Sequence, residues 1–181
     1  MSARTTGFEE TLLPARASVD DPAGAPSPSA ETDPTESLVA PGTQLGAYRV
    51  EGLLGQGAVG AVYAAVSAQG ARVALKVLKR AHADDPVHVA RMEREAAALR
   101  ALSHPHVVPI LDAGRMPDGR AFLSMPRIEG ASLDEVLRAR GRPFEPASAW
   151  ALLRGMALAL DAAHALGITH RDVKPSNIFV E

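Results

Sequence analysis

From Leu45 the chain alternates apolar and polar positions with a period of two. Tyr48 and Val50 alternate with Arg49 and Glu51. A glycine-rich turn follows, and Ala61 to Val66 forms a second apolar run, ended by the turn residues around Gly70. In Arg72 to Leu78, Val73, Leu75 and Val77 fall on one face and Ala74, Lys76 and Leu78 on the other. This spacing predicts three antiparallel strands. Asp85 before Pro86 reads as an N-cap with proline at the first helical position. Val89, Met92, Ala96, Leu99 and Leu102 then recur every three or four residues, which predicts a helix. After the breakers His104 and Pro105, the runs Val107 to Leu111 and Ala121 to Met125, separated by a turn at Pro117 to Gly119, predict strands four and five. Ser132 stands three residues before Glu135, a capping box that opens a short helix from Leu133 to Arg138. A longer helix is predicted from about Pro146 to near Gly167, a residue able to take the left-handed conformation that ends helices. The predicted fold class is α+β: a five-stranded antiparallel unit with one helix, then the start of a helical unit.

Residues 1–43 break this pattern. They hold six of the 14 prolines, are rich in Ser, Thr and Ala, and show no apolar period. Such a segment cannot offset its ordering entropy by burial, so it is predicted to be disordered. Within it, Phe8, Leu12 and Leu13 in the stretch Gly7 to Pro14 could form a docking motif. The tail also carries seven acidic residues against Arg4 and Arg16, whereas residues 44–181 carry seventeen basic against fourteen acidic ones. The net charge of -2 argues against a general nucleic-acid binder. Apolar residues make up 46% of the chain, enough for a core, while aromatics are only 4%, so Tyr63, Phe122 and Trp150 are expected as its few large anchors. There is no cysteine, which excludes disulfides, thiolate zinc sites and a cysteine nucleophile and suits a reducing compartment. No signal peptide is visible, and the most apolar stretch, Ala147 to Ile168, is interrupted by Arg154, Asp161 and His164, so no bilayer span is expected.

Three places carry chemistry. Gly55-Gln56-Gly57-Ala58-Val59-Gly60-Ala61-Val62 has the form G-x-G-x-x-G-x-V, whose glycines let backbone amides close over phosphates. Alone it is equally consistent with a flexible turn. A dinucleotide-binding loop would be followed by a helix, but strands follow here; a Walker loop would end in Gly-Lys-Ser/Thr, which is absent. The loop therefore belongs inside a hairpin. Lys76 lies nineteen residues after Gly57 on the strand face shared with Ala74, a small residue that leaves room for a base. It is one of only three lysines, against sixteen arginines. Glu95, a further nineteen residues on, could pair with Lys76. Glu93 is its competitor, about 200° away around the helix, and Glu95 flanks the Met92, Ala96 and Leu99 stripe more closely. The most specific segment is His170-Arg171-Asp172-Val173-Lys174-Pro175-Ser176-Asn177, which puts a carboxylate, an ammonium and an amide oxygen in one loop. Asp172 can accept the proton of a substrate hydroxyl, Lys174 can neutralise charge on a transferring phosphoryl group, and Asn177 can ligate Mg²⁺.

In this order, these residues resemble the bacterial eukaryotic-like serine/threonine protein kinases of the protein kinase superfamily over Gly46 to Glu181. Val73-Ala74-Leu75-Lys76 is similar to the nucleotide-anchoring strand, and Ser103 to Val108 to the turn leading into strand four. Phe122 to Gly130 is similar to the strand and hinge, with Met125 as gatekeeper, and Asp172-Val173-Lys174 is similar to the serine/threonine branch. The resemblance implies a domain plan of a tail at 1–43, an N-lobe and hinge at 44–128 and a partial C-lobe at 129–181. It implies ATP and Mg²⁺ as cofactors and transfer of the γ-phosphoryl group to Ser or Thr of proteins. The implied nucleotide site comprises Leu54, Gly55, Gln56, Gly57, Gly60, Val62, Ala74, Lys76, Glu95, Met125, the Pro126 carbonyl, the Ile128 amide and Glu129 toward the ribose. Asp172 and Lys174 are the implied catalytic residues and Asn177 the implied metal ligand.

Two departures shape the expectations. Proline at 126 stands where the family commonly has an acidic residue, yet it keeps the carbonyl. The family's Asp-Phe-Gly metal site does not occur before Glu181, so the piece by itself is expected to be inactive and the chain to be the front of a longer kinase. A nucleotide-binding pseudokinase or scaffold is the alternative. Expected partners are ATP, Ser/Thr-bearing proteins and phospho-dependent partners of the threonine-containing tail, with no nucleic acid and no membrane segment. The expected location is cytoplasmic, with the parent protein open to anchoring by a segment beyond residue 181.

Overall fold

The computed structural model describes residues 10–12 and 38–180. Elements are numbered in chain order. They fall into two compact units, one built from 38–97 and 110–127, the other from 10–12, 98–109 and 128–180.

The first unit is a six-stranded antiparallel sheet in the order β2-β3-β4-β5-β7-β6. Its strands are β2 (Gln44–Leu45), β3 (Tyr48–Gln56), β4 (Gly60–Ser67), β5 (Arg72–Leu78), β6 (Asp112–Arg115) and β7 (Ala121–Pro126). The period of two sorts their side chains. Val73, Leu75 and Val77 pack with Tyr48, Val50, Ala61, Tyr63, Ala65, Met116 and Phe122 on one face. On the other face Leu78, Ala121 and Leu123 meet Val89, Met92 and Ala96 of helix α1 (Pro86–Ala101). Leu75 and Leu123 are fully buried, and each such leucine contributes about 1.5–3 kcal/mol relative to exposure. Polar cross-links add register: the Tyr48 hydroxyl lies 3.1 Å from both Asp112 Oδ2 and Ser124 Oγ, joining β3 to β6 and β7.

Two boundaries differ from the sequence reading. Val107 to Leu111 forms no strand beyond an isolated bridge at Val107; the fourth major strand is β6, four residues of which only Ala113 is apolar. Pro109 has no N–H for a ladder, so pairing with β7 starts only where the Leu111 N–H donates to the Ser124 carbonyl. Residues 40–43, which composition places in the tail, are tied to β3: the Gly42 N–H donates to Val50 O and the Val50 N–H to Thr43 O. The two-residue β2 extends that edge and makes six strands instead of five.

The second unit is mainly helical. Helix α2 (Leu133–Arg140) opens with the predicted capping box, in which Ser132 accepts the Glu135 N–H while Glu135 accepts the Ser132 N–H. It closes on Gly141, at φ 60°, in the left-handed conformation. Helix α3 (Pro146–Ala165) buries Leu152, Gly155, Ala159 and Ala163. Leu152, Ala159 and Ala163 pack with Leu102, Val107, Leu133, Ile178 and Val180. Trp150 is not a core anchor: it is 68% exposed, because the buried stripe runs through 152, 155, 159 and 163 and turns position 150 outward. A small sheet in the order β1-β9-β8 completes this unit, with β8 (Ala131–Ser132) and β1 (Glu10–Leu12) each antiparallel to β9 (Ile178–Val180). Of the stretch Gly7 to Pro14, only 10–12 is described, and its backbone forms β1; Phe8 and Leu13 lie outside the described residues, as does the rest of 1–37.

Candidate active site

In the sheet unit, the glycine segment forms the tip of the β3–β4 hairpin, closed by a Gly57 N–H to Gly60 carbonyl bond. Irregular register between Val50 and Gly52 and between Leu53 and Gly55 twists the strand leading into it. Leu54, Gln56 and Gly57 are exposed there, and Gly55 and Gly60 are half-buried. Gly60 has a steric reason to be glycine: a Cβ on it would lie 2.7 Å from the Val77 carbonyl oxygen of β5. The hairpin therefore sits directly against the strand that carries Lys76.

Behind the tip, two cross-strand rows lie on the α1-facing side of the sheet. Val62, Lys76 and Leu123 pair in one row, and Ala64, Ala74 and Met125 in the next. Ala74 and Met125 are buried, and Val62 is half-buried. The Lys76 ammonium is 2.5 Å from Glu95 Oε1 on α1. Glu95 is only 3% exposed, whereas Glu93 points outward and meets Arg115 at 3.6 Å. Helical phase explains the choice: Met92 and Ala96 face the sheet, and Glu95 lies beside them. The pair fixes the Lys76 ammonium beside a buried carboxylate, with about a quarter of the lysine side chain still exposed.

At the end of β7, Pro126 pairs with Val73 through backbone that lacks the proline N–H but keeps its carbonyl. The next residue supplies a clamp that sequence reasoning missed. The Arg127 N–H donates to Arg72 O, and its guanidinium reaches Glu51 of β3 at 3.4 Å. No local signal marks this pair, whose partners are 76 residues apart. Ile128 and Glu129 belong to the other unit, Ile128 half-buried and Glu129 exposed.

In the helical unit, the loop 169–177 hangs between two apolar anchors. Ile168 packs into the core after Gly167, at φ 72°, ends the helical turn, and Ile178 is 2% exposed. Between them the polar groups satisfy one another. Lys174 Nζ is 2.9 Å from Asp172 Oδ2, and the Asn177 amide nitrogen donates to the Asp172 carbonyl at 2.8 Å and to Oδ2 at 3.1 Å. The Asp172 N–H donates to His170 Nδ1 at 3.4 Å, a role for His170 that sequence reasoning did not assign. Arg171 takes a left-handed φ of 57°, unusual outside glycine, and so turns the backbone between His170 and Asp172. The hydrogen bond from Lys174 holds the Asp172 carboxyl below the usual carboxylate range, so it is ionised at neutral pH. Both Asn177 bonds use its amide nitrogen, which leaves the amide oxygen as a hard donor beside an ionised carboxylate. That donor set suits Mg²⁺.

Comparison with known proteins agrees with this chemistry. Residues 48–181 match the protein kinase domain family. The chain is 48% identical over 140 residues to the serine/threonine-protein kinase PknD of Mycobacterium tuberculosis, an alignment covering 77% of this chain and 21% of that protein. It is 48% identical over 140 residues to PknE of the same organism, covering 77% of this chain and 24% of the relative. To PknH of Mycobacterium bovis it is 46% identical over 140 residues, covering 77% and 23%. The chain thus spans between 21% and 24% of the length of these curated relatives. Among solved structures, the M. tuberculosis PknI kinase domain superposes with a TM-score of 0.67 at 31% identity, over 78% of this chain and 57% of that one.

Proposed function

We propose, from the premise that this chain belongs to the protein kinase domain family, that it is the nucleotide-gripping and catalytic-loop portion of an ATP-dependent serine/threonine protein kinase. The observation that carries the reading is the Lys76–Glu95 ion pair, in which a nearly dry carboxylate holds one of the chain's three lysines. The names of the relatives and the Asp172-Val173-Lys174 sequence support serine and threonine as acceptors. An ATP-using domain without cysteine suits the cytoplasm, and that location belongs to the same proposal. Among the described residues no helix is long and apolar enough to cross a membrane.

The residues present fit ATP and Mg²⁺. Gly55, Gln56, Gly57 and Gly60 would offer backbone amides to the phosphates, with Leu54 and Val62 beside the base. Ala74 leaves space on the strand, Met125 bounds that space, and the Pro126 carbonyl, the Ile128 N–H and Glu129 would address adenine and ribose. When bound, ATP with Mg²⁺ supplies a transferable phosphoryl group whose charge is partly offset by the metal. The chain's own residues do the rest. Glu95 holds the Lys76 ammonium in place. Asp172 would orient an acceptor hydroxyl and take its proton, Lys174 places positive charge beside that carboxylate, and Asn177 would offer its amide oxygen to the metal.

The test is nucleotide binding by the 181-residue chain, read with a fluorescent ATP analogue and Mg²⁺. Lys76→Met should weaken binding at least about tenfold, and an unchanged affinity would remove the reading. A specific observation keeps a second reading in view. Asp172 is engaged by both Lys174 and Asn177, an arrangement equally stable in a nucleotide-binding scaffold that transfers nothing. Phosphate transfer to a Ser/Thr protein that falls about 10²–10⁴-fold on Asp172→Asn selects the kinase. ATP binding with no transfer selects the scaffold only when measured on a longer chain that carries an Asp-Phe-Gly segment, since the 181-residue piece is expected to be inactive under either reading.

A further inference from the structure

At the entry to α1, a tight cluster lies apart from all the residues assigned above. His82 ends a 3-10 turn spanning Arg80–His82, Asp85 precedes the helix, and His88 sits in its first turn. The Asp85 N–H donates to the His82 carbonyl, and the Val89 N–H donates to the Asp85 carbonyl, so one short stretch of backbone fixes all three positions. The Asp85 carboxylate is divided: Oδ1 accepts the Val87 N–H at 2.9 Å, and Oδ2 lies 2.5 Å from His88 Nδ1. The His82 and His88 rings face one another with centroids 4.4 Å apart at 32°. Among the described residues this is the one grouping of three His, Asp or Glu side chains whose ligand atoms all lie within 4.8 Å of one another. All three are half-buried, so solvent reaches them.

A helix cap alone needs Asp85 and nothing more. The cap does not explain why His88 takes the second carboxylate oxygen while the His82 ring lies against that of His88, bringing a ligand atom of each residue within 4.8 Å of the others. We propose that His82, Asp85 and His88 form a three-ligand site for a first-row divalent transition metal, with Zn²⁺ the best fit. Two imidazoles and one carboxylate are a known zinc donor set, with water completing the tetrahedron. Bonds of about 2.0–2.2 Å at tetrahedral angles put ligand atoms roughly 3.3–3.5 Å apart. Small side-chain rotations therefore suffice: the Asp85–His88 contact opens and the longer separations close. The Val87 N–H on Oδ1 pre-orients the carboxylate, as outer hydrogen bonds do at metal sites. Imidazole donors disfavour Mg²⁺ and Ca²⁺, so the site is chemically distinct from one built on Asn177. A bound ion would tie the 79–85 connection to the first turn of α1, the helix that carries Glu95.

The experiment is titration of the 181-residue chain with Zn²⁺ alone, followed by calorimetry and by NMR of the histidine rings. One ion per chain is expected, with the rings of His82 and His88 shifting together and with a Tm that rises with ion concentration. His82→Ala and His88→Ala should each lower affinity at least about tenfold. Asp85→Asn should do the same while keeping the cap, since asparagine caps as well as aspartate. His104→Ala, which changes a histidine elsewhere, should leave binding unchanged. The proposal is overturned by no saturable binding, by equal binding in the H82A and H88A proteins, by loss of binding in H104A, or by Mg²⁺ competing at equal concentration.

Discussion

Removing either partner of the Lys76–Glu95 pair should have unequal costs. At an effective dielectric of about 20, unit charges separated by the 2.5 Å of this contact attract by roughly 6–7 kcal/mol, most of it offset by desolvation. What a deletion reports is therefore the fate of the survivor. The Glu95 side chain is 4% exposed and that of Lys76 is 24% exposed. Lys76→Met strands a carboxylate with no path to water and should cost about 3–5 kcal/mol. Glu95→Gln strands an ammonium on a flexible stem that can lift its head into solvent, so its cost should be about 1–2 kcal/mol. The double variant should cost less than the sum of the two singles, with a coupling of at least about 2 kcal/mol. Urea denaturation of the four proteins at neutral pH and fixed salt measures all three quantities. A coupling below about 0.5 kcal/mol, or a greater loss from Glu95→Gln than from Lys76→Met, would refute the account of a carboxylate buried to hold a lysine.

Gly60→Ala should destabilise the sheet unit by about 1–3 kcal/mol, because its Cβ would meet the Val77 carbonyl at 2.7 Å; Gly52→Ala, with nothing within 4 Å, is the matched control in the same urea titration. Ser132→Ala removes the α2 cap and should cost about 1 kcal/mol, read as a fall in the urea midpoint. Asp118 is held below its ordinary value, chiefly by its hydrogen bond from Arg120, so its contribution is complete above the ordinary carboxylate range. It should be lost as pH falls through the lower folded value; Asp118→Asn should therefore flatten the decline of the urea midpoint between about pH 5 and pH 2.

Legibility in the sequence followed how local each cause was. Strands β3, β4 and β5 alternate because each has one face on the same core, and helical phase alone put Glu95 rather than Glu93 beside Met92 and Ala96. Strand β6 was not legible: Asp112-Ala113-Gly114-Arg115 has no strand pattern and is ordered by β7, a strand buried along nearly its whole length. Trp150 was misplaced because α3 is apolar around much of its circumference, so sequence could not choose its phase. Packing against Leu133, Ile178 and Val180 chose it. The Tyr48 contacts with Asp112 and Ser124 join partners 64 and 76 residues apart, for which a single sequence holds no signal. His82, Asp85 and His88 are local, yet reading Asp85 as a cap used only one of its oxygens.

The 169–177 loop shows both kinds of cause at once. Its residue types were plain from the sequence, since few other roles need Asp172, Lys174 and Asn177 so closely spaced. Its preorganisation was not, because that depends on what happens at the loop's ends. Ile168 and Ile178 are drawn into the same core by burial, which fixes the span, and the left-handed turn at Arg171 lets the chain fit that span. Only then do the ammonium and amide of Lys174 and Asn177 converge on one carboxylate oxygen. The charge arrangement of the loop is thus set by apolar packing, and a cavity opened at Ile178 should disturb Asp172 without touching a polar atom.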